Sequence, residues 1–307
     1  MNMTEPTQFN AAGLRGKLRH DVEMYRYTSW RTGGRAQHVY QPADLADMVV
    51  FLRMLQVSEP LVAVGLGSNL LIRDGGLTGT ALLLHAALNE LRIESDGTIY
   101  CQAGVPGAKL ARFAAQHNLM GAEFFAGIPG TLGGMLAMNA GCYGGETWNV
   151  TERVQVVTRS GELRKRAVTD YDIGYRHAVL KDKQRDVEIY AGAWLRLPAG
   201  DGEIARSEIR ALLTRRIASQ PLQIPNAGSV FRNPPGGHAA RLIEQCGLKG
   251  LQIGGAQVSE QHANFILNVN KASATDIENL IKEVQLQVVR QTGVILQCEV
   301  RVIGEKA

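Results

Sequence analysis

Within residues 44–57, Leu45, Met48, Val49, Leu52 and Leu55 recur at helical spacing, and Asp44 stands where a side-chain oxygen caps a helix start. That stretch is expected to be an amphipathic helix. The rhythm then changes. Residues 61–64 are a short apolar run ending at glycine, which predicts a buried strand that delivers the chain to a turn, and residues 81–84 predict a second strand. Residues 100–105 read as another strand, and 107–118 as a helix packed through Leu110, Phe113 and Ala114. Residues 154–158 and 162–168, joined at Ser160 and Gly161, predict a hairpin, and 187–197 a further strand.

Pro198, Ala199, Gly200, Asp201 and Gly202 make a linker, which divides the chain into parts at 1–200 and 201–307. The second part alternates helix (204–219), a proline and glycine loop, helix (239–246), strand (265–269), helix (274–291) and a final strand (295–303). This is the order of a compact α+β unit. A chain of 307 residues is long for the roughly 100–150 residues of one domain, so two domains agree with its length.

Composition changes this picture little. Hydrophobic residues make up 45% and charged residues 20%, as in ordinary globular proteins. The net charge of +4 is small and its Lys and Arg residues are interleaved with acidic ones, which disfavours nucleic acid and leaves room for an anionic small substrate. Residues 1–10 are polar and include Glu5, so no signal peptide is expected, and no run of about 18 apolar residues predicts a membrane span. Cys101, Cys142, Cys246 and Cys298 form no Cys-x-x-Cys pair, so neither a zinc site nor a redox dithiol is expected. A cytoplasmic protein with reduced thiols and no metal fits best.

The chemistry lies in the glycines. Gly65-Leu66-Gly67-Ser68-Asn69-Leu70-Leu71 follows the apolar strand directly, where exposed N–H groups can nest around phosphate oxygens. It fails as a Rossmann fingerprint, because Leu70 occupies the place of the third glycine. Gly127-Ile128-Pro129-Gly130-Thr131-Leu132-Gly133-Gly134 leads into residues 135–140, expected to be a short helix whose N-terminus faces an anion. A Walker A loop is absent: Gly107-Ala108-Lys109 lacks both the glycine spacing and the following Ser or Thr. Three further motifs, Gly174-Tyr175-Arg176, Asn226-Ala227-Gly228-Ser229-Val230-Phe231-Arg232-Asn233-Pro234 and Cys298-Glu299-Val300-Arg301, are each close to silent alone.

Taken together with Thr28-Ser29-Trp30-Arg31-Thr32-Gly33-Gly34 and Asn139-Ala140-Gly141-Cys142-Tyr143-Gly144, their order resembles the UDP-N-acetylenolpyruvoylglucosamine reductase family, over nearly the whole chain. The resemblance implies a vanillyl alcohol oxidase (PCMH)-type FAD-binding domain and a smaller α+β substrate-binding domain. It places Gly65, Gly67, Ser68, Asn69 and Leu70 at the FAD pyrophosphate. It sets Gly127, Gly130, Thr131, Gly133, Gly134, Asn139 and Gly141 against pyrophosphate and flavin. It also implies that FAD is noncovalent, so Cys142 is not expected to carry it.

The reaction that the resemblance implies is reduction of FAD by NADPH, hydride transfer from flavin N5 to the β-carbon of an enolpyruvyl UDP-sugar, and protonation of the α-carbon. Ser229 is the implied proton donor, with Arg176 and Glu299 flanking the substrate carboxylate. An enolate carbon is basic enough to take a proton from a hydroxyl, and Arg176 offers fixed charge where the anion builds up. Glu299 can assist an anion only as a neutral acid, so it is expected to hold its proton in the complex. Tyr175, Asn233, Gln257 and His262 are the implied substrate contacts, with structural hydrogen bonding an equal alternative for His262. The roles of Gln257, His262 and Asn264 within Gly255-Ala256-Gln257-Val258-Ser259-Glu260-Gln261-His262-Ala263-Asn264-Phe265 are not individually distinguished.

The chain is short enough to be the compact subtype, and nicotinamide and sugar nucleotide are expected to use one cleft in turn. UDP-sugar and NADPH are the expected partners, without nucleic acid or membrane, and the protein is expected as a monomer or weak homo-oligomer. A flavin oxidase and a noncatalytic FAD-binding module are the competing readings. Neither gives Ser229, Arg176 and Glu299 a purpose.

Overall fold

The computed structural model describes residues 13–182 and 187–307. The reading of residues 1–10 therefore falls outside the described residues. Strands Lys17–Glu23, Arg35–Gln41, Leu77–Leu83 and Leu61–Val64 form one sheet in that spatial order, antiparallel in the first pair and parallel in the others. Helix Leu45–Met54 covers it, with Asp44 accepting from the Asp47 N–H as expected, and buries Met48, Phe51 and Leu52. Tyr40 stacks on Phe51 with ring centroids 3.9 Å apart.

A second, five-stranded antiparallel sheet runs Leu163–Ala167, Thr151–Thr158, Glu188–Leu195, Ile99–Gln102 and Leu91–Ile93. The expected hairpin is its edge. Helix Gly107–Gln116 packs on this sheet through Leu110, Ala111 and Ala114, all buried. Helix Gly202–Ser219 follows the expected linker, and its Ala205 and Ile209 lie in the same core as Leu110 and Ala114. A third core sits in the C-terminal part, where strands Asn226–Ser229, Phe265–Asn268, Ala256–Val258 and Gln252–Ile253 form an antiparallel sheet.

Helix Ala274–Thr292 shows how plainly some of this fold is written. Ile277, Leu280, Ile281, Val284 and Val288 make one buried stripe, each contributing roughly 1.5–3 kcal/mol on burial. Ser273 accepts from Asp276 N–H while the Asp276 side chain accepts from Ser273 N–H, and Gly293 ends the helix at φ 73°.

Two expectations are corrected. The final strand spans only Arg301–Ile303, paired in parallel with Leu70–Ile72, because residues before it bond to several partners rather than to one ladder. Arg232 N–H donates to Gln297 O, and Glu299 N–H to Val230 O. The short helix of the glycine region is Leu132–Ala137, shifted toward the N-terminus from residues 135–140. Its start is fixed by tertiary bonds: Leu132 N–H donates to Val105 O and Gly133 N–H to Ala103 O.

N-terminal segments are stitched into the C-terminal core. Trp30 is fully buried there and its indole N–H donates to Ile266 O at 2.7 Å, while Asp74 accepts from the Ala274 and Thr275 N–H groups. Arg73 pairs with Glu278 at 2.8 Å, and the Arg73 hydrogen bond draws the Glu278 carboxyl down to about 2 against its partial burial.

This pair generates a pH-dependent prediction. A carboxyl held below its ordinary value contributes stability above that value and loses it as pH falls toward about 2. Glu278→Gln is expected to lower unfolding free energy by about 2 kcal/mol at pH 7. The difference should shrink steadily below pH ~4.5 in denaturant titrations. A penalty equal at pH 7 and pH 3 would remove the pair from the stabilising contacts.

Candidate active site

The turn after strand Leu61–Val64 and the glycine-rich stretch before helix Leu132–Ala137 face each other across one cleft of ≈ 880 Å³. Gly65, Gly67, Ser68, Asn69, Leu70, Gly127, Gly130, Thr131, Gly133, Gly134 and Gly141 all line it, together with Arg176, Ser229 and Glu299. Asn139, Tyr175, Asn233, Gln257 and His262 do not.

The glycines of the two turns are there for different reasons. Gly67 has φ +62°, and a Cβ on it would collide with the Tyr27 carbonyl, so it serves the turn itself. Around a Cβ on Gly134 no heavy atom lies within 4 Å, so this side chain is missing where the cleft is open. A cleft of this size, with a wall kept bare at a helical position where alanine is favoured, fits a flat ring system with phosphates attached. The anion-facing helix start is less available than expected, since the Leu132 and Gly133 N–H groups are spent on Val105 and Ala103.

Asn69 is also engaged. Its Nδ2 donates to Glu299 O at 3.1 Å, and its own carbonyl accepts from Arg301 N–H at 3.0 Å. The turn thereby holds the Cys298-Glu299-Val300-Arg301 motif beside it.

Arg176 reaches the same place from 123 residues before Glu299 in the chain. It sits at φ +55° in the turn of the hairpin Tyr171–Gly174 and His177–Leu180, an unusual conformation for a side chain of this size. Arg232 donates to the Arg176 carbonyl at 3.3 Å, and Asn139 Nδ2 to the Gly174 carbonyl at 3.1 Å. Thus supported, Arg176 Nε donates to Glu299 Oε1 at 2.7 Å and its Nη2 to Gly141 O at 3.1 Å. The two side chains are only 18% and 14% exposed, so the ion pair is shielded from solvent. Ser229 ends strand Asn226–Ser229 opposite Phe265, one residue from the Val230 carbonyl that accepts from Glu299 N–H.

The expected contacts outside the cleft have other partners. Asn139 is 1% exposed and also donates to Glu146 and accepts from Trp148 N–H. Tyr175 is 46% exposed, with the Arg176 guanidinium 5.0 Å from its ring centroid. Asn233 Oδ1 accepts from Ala239 N–H at the start of helix Ala239–Gln245. Gln257 Nε2 donates to Gly250 O at 3.5 Å. His262 Nδ1 accepts from Asn264 N–H, and burial holds its imidazole below the ordinary value.

Sequence reasoning missed Arg216, which lines the cleft from the last turn of helix Gly202–Ser219. Its Nε donates to Gln220, burial pushes its pKa down, and among the described residues no carboxylate pairs with it. Its neighbours Arg210 and Arg215 made it look like one more surface charge. Burial pushes the nearby Cys142 thiol up to about 11, so it stays protonated near neutrality.

Two sequence profiles match this arrangement: an FAD binding domain over residues 36–166, and the C-terminal domain of UDP-N-acetylenolpyruvoylglucosamine reductase over residues 220–303. The UDP-N-acetylenolpyruvoylglucosamine reductase of Thiobacillus denitrificans is 52% identical, with all of this chain and 98% of that protein aligned. The chain belongs to the UDP-N-acetylenolpyruvoylglucosamine reductase family. Another relative, from Nitrosomonas eutropha, is 54% identical over 95% of this chain and 90% of its own length. The crystal structure of the Thermus caldophilus reductase of this family superposes with a TM-score of 0.79 at 29% identity, covering 94% of this chain and 99% of that one. Membership makes the chain a flavin-dependent oxidoreductase with an FAD-binding domain.

The two kinds of glycine give a paired expectation. Gly134→Ala should leave the melting temperature unchanged or slightly higher, while weakening FAD about tenfold or more in a fluorescence titration of the apoprotein. Gly67→Ala should instead destabilise the fold by more than ~1 kcal/mol. Unchanged FAD affinity in Gly134→Ala would show that this wall does not touch the cofactor.

Proposed function

We propose that this protein reduces UDP-N-acetylglucosamine enolpyruvate to UDP-N-acetylmuramate, using FAD and taking its electrons from NADPH. One observation carries the reading: Arg176 and Glu299, 123 residues apart in the chain, form a shielded pair in the glycine-lined cleft that Ser229 also lines. When bound, FAD supplies hydride chemistry at the enolpyruvyl double bond.

The chain's own residues do the rest. The Arg176 guanidinium takes the substrate carboxylate in the place where Glu299 holds it beforehand, and stays charged as negative charge gathers there. Ser229 Oγ–H gives its proton to the α-carbon and recovers one from solvent. Glu299, displaced from Arg176 by the entering carboxylate, takes up a proton from solvent and then serves the growing anion as a hydrogen-bond donor. Ser68 and the bare wall at Gly134 face the cofactor, with Asn69 supporting Glu299 from the same turn.

The reading includes sequential use of one cleft by NADPH and the UDP-sugar, a cytoplasmic location and a monomer or weak homo-oligomer. Among the described residues no helix is long and apolar enough to cross a membrane.

Anaerobic reduction by NADPH followed by addition of the enolpyruvyl UDP-sugar tests the proposal. Rapid flavin reoxidation with formation of UDP-N-acetylmuramate is expected. Reduced flavin that waits for oxygen would replace the proposal with the oxidase reading, and failure to take up FAD would end both. Ser229→Ala should keep reduction by NADPH near the wild-type rate and slow reoxidation by substrate about 10²- to 10⁴-fold. Arg176→Met should lose about 10²-fold or more in the same step. Equal losses in both half-reactions would take proton delivery from Ser229 and anion stabilisation from Arg176.

A further inference from the structure

Asn264 is 4% exposed, does not line the cleft, and has every polar atom of its side chain committed to one residue. Its Nδ2 donates to the Phe231 carbonyl at 2.8 Å, and its Oδ1 accepts from the Phe231 N–H at 3.0 Å. Its main-chain carbonyl accepts from Val230 N–H at 2.9 Å. A primary amide has the same donor and acceptor pair as a peptide group, so the side chain continues the ladder where the backbone ladder stops. The backbone pairing of Asn226–Ser229 with Phe265–Asn268 ends at Ser229 and Phe265.

The segment clamped in this way is the one that carries Ser229 and faces Glu299. Val230 is fixed on both sides, by Asn264 O at its N–H and by Glu299 N–H at its carbonyl, the latter at 2.7 Å. Phe231 bridges Cys298, the residue before Glu299. Two groups from distant parts of the chain are therefore registered against each other through Val230 and Phe231. Among the described residues no other side chain satisfies both polar groups of Phe231 at once, and a residue without an amide would leave one or both buried and unpaired.

We infer that Asn264 is a positioning residue for proton delivery: its amide sets the place of the Ser229 hydroxyl relative to Glu299 and the substrate α-carbon. The inference rests on the reductase reading for the role of Ser229. Proton transfer over a hydrogen bond is steep in distance, and a displacement near 1 Å can cost about 10²-fold in rate. Hydride transfer from NADPH to the cofactor does not use the Ser229 proton, so the two half-reactions separate the effect.

Asn264→Asp keeps the size and the acceptor but turns an oxygen toward the Phe231 carbonyl. In the FAD-loaded protein, anaerobic stopped flow should show reduction by NADPH within about twofold of wild type and reoxidation by the enolpyruvyl UDP-sugar slowed about 10- to 100-fold. The solvent deuterium effect on reoxidation should increase. In a Ser229→Ala background the same substitution should add less than about twofold, because the group it positions is gone. Asn264→Gln, which retains the amide on a longer stem, should fall between.

Equal slowing of both half-reactions, or a full additive effect in the Ser229→Ala background, would make Asn264 a general structural residue and overturn the inference. So would unaltered reoxidation in Asn264→Asp, or loss of bound flavin in both single variants. If wild-type protein itself is not reoxidised by the enolpyruvyl UDP-sugar, it is the reductase reading that fails.

Discussion

Three residue pairs of parallel strand, Leu70–Ile72 against Arg301–Ile303, join the first sheet region of the chain to its last strand. Their register decides what lies opposite the glycine turn at residues 65–70. Because Leu70 pairs with Arg301, the residue two positions earlier, Glu299, comes under the Asn69 amide, and its side chain meets Arg176. A slip of one residue would turn Glu299 to the other face and leave the Arg176 guanidinium, only 18% exposed, without its partner. So small a pairing is held by what surrounds it: Leu71 and Ile72 are fully buried, and Arg73 follows at once with its pair to Glu278.

Several polar groups buried in the cores are satisfied by fixed neighbours, as with Asn139, Asn264 and the Trp30 indole. Two features of the cleft keep unmet polar capacity. Arg216 has no carboxylate among the described residues, and Gly134 contributes bare backbone. Unmet polar capacity in a concave space is what a bound ligand can complete.

Much of the fold was legible in the sequence where one local rule sufficed. Helices Leu45–Met54 and Ala274–Thr292 show amphipathic periodicity with a capping residue in front, and the Thr151–Thr158 hairpin alternates around a glycine turn. Strands Lys17–Glu23 and Arg35–Gln41 escaped notice because charged residues and histidines interrupt their alternation. Residues 295–300 looked like strand by composition, but several partners hold them and so no ladder forms. At the site, the glycine motifs and Arg176, Ser229 and Glu299 were recognisable as a set, and the structure brings them to one cleft. The hydrogen bonds by which Asn139 and His262 hold neighbouring segments were not legible, since an amide or imidazole in that role carries no local mark of it. Arg216 was hidden by the arginines around it.

The order in which a chain is made adds a consequence to the Arg301 N–H bond that closes on Asn69. During synthesis the turn at residues 65–70 emerges early, yet the strand that pairs beside it is translated much later. Until then Leu71 lacks its cover and Asn69 has no carbonyl to hold. Closure of that turn thus waits for residues 301–303, and a nascent fragment that stops short of them presents the turn without the segment that completes it.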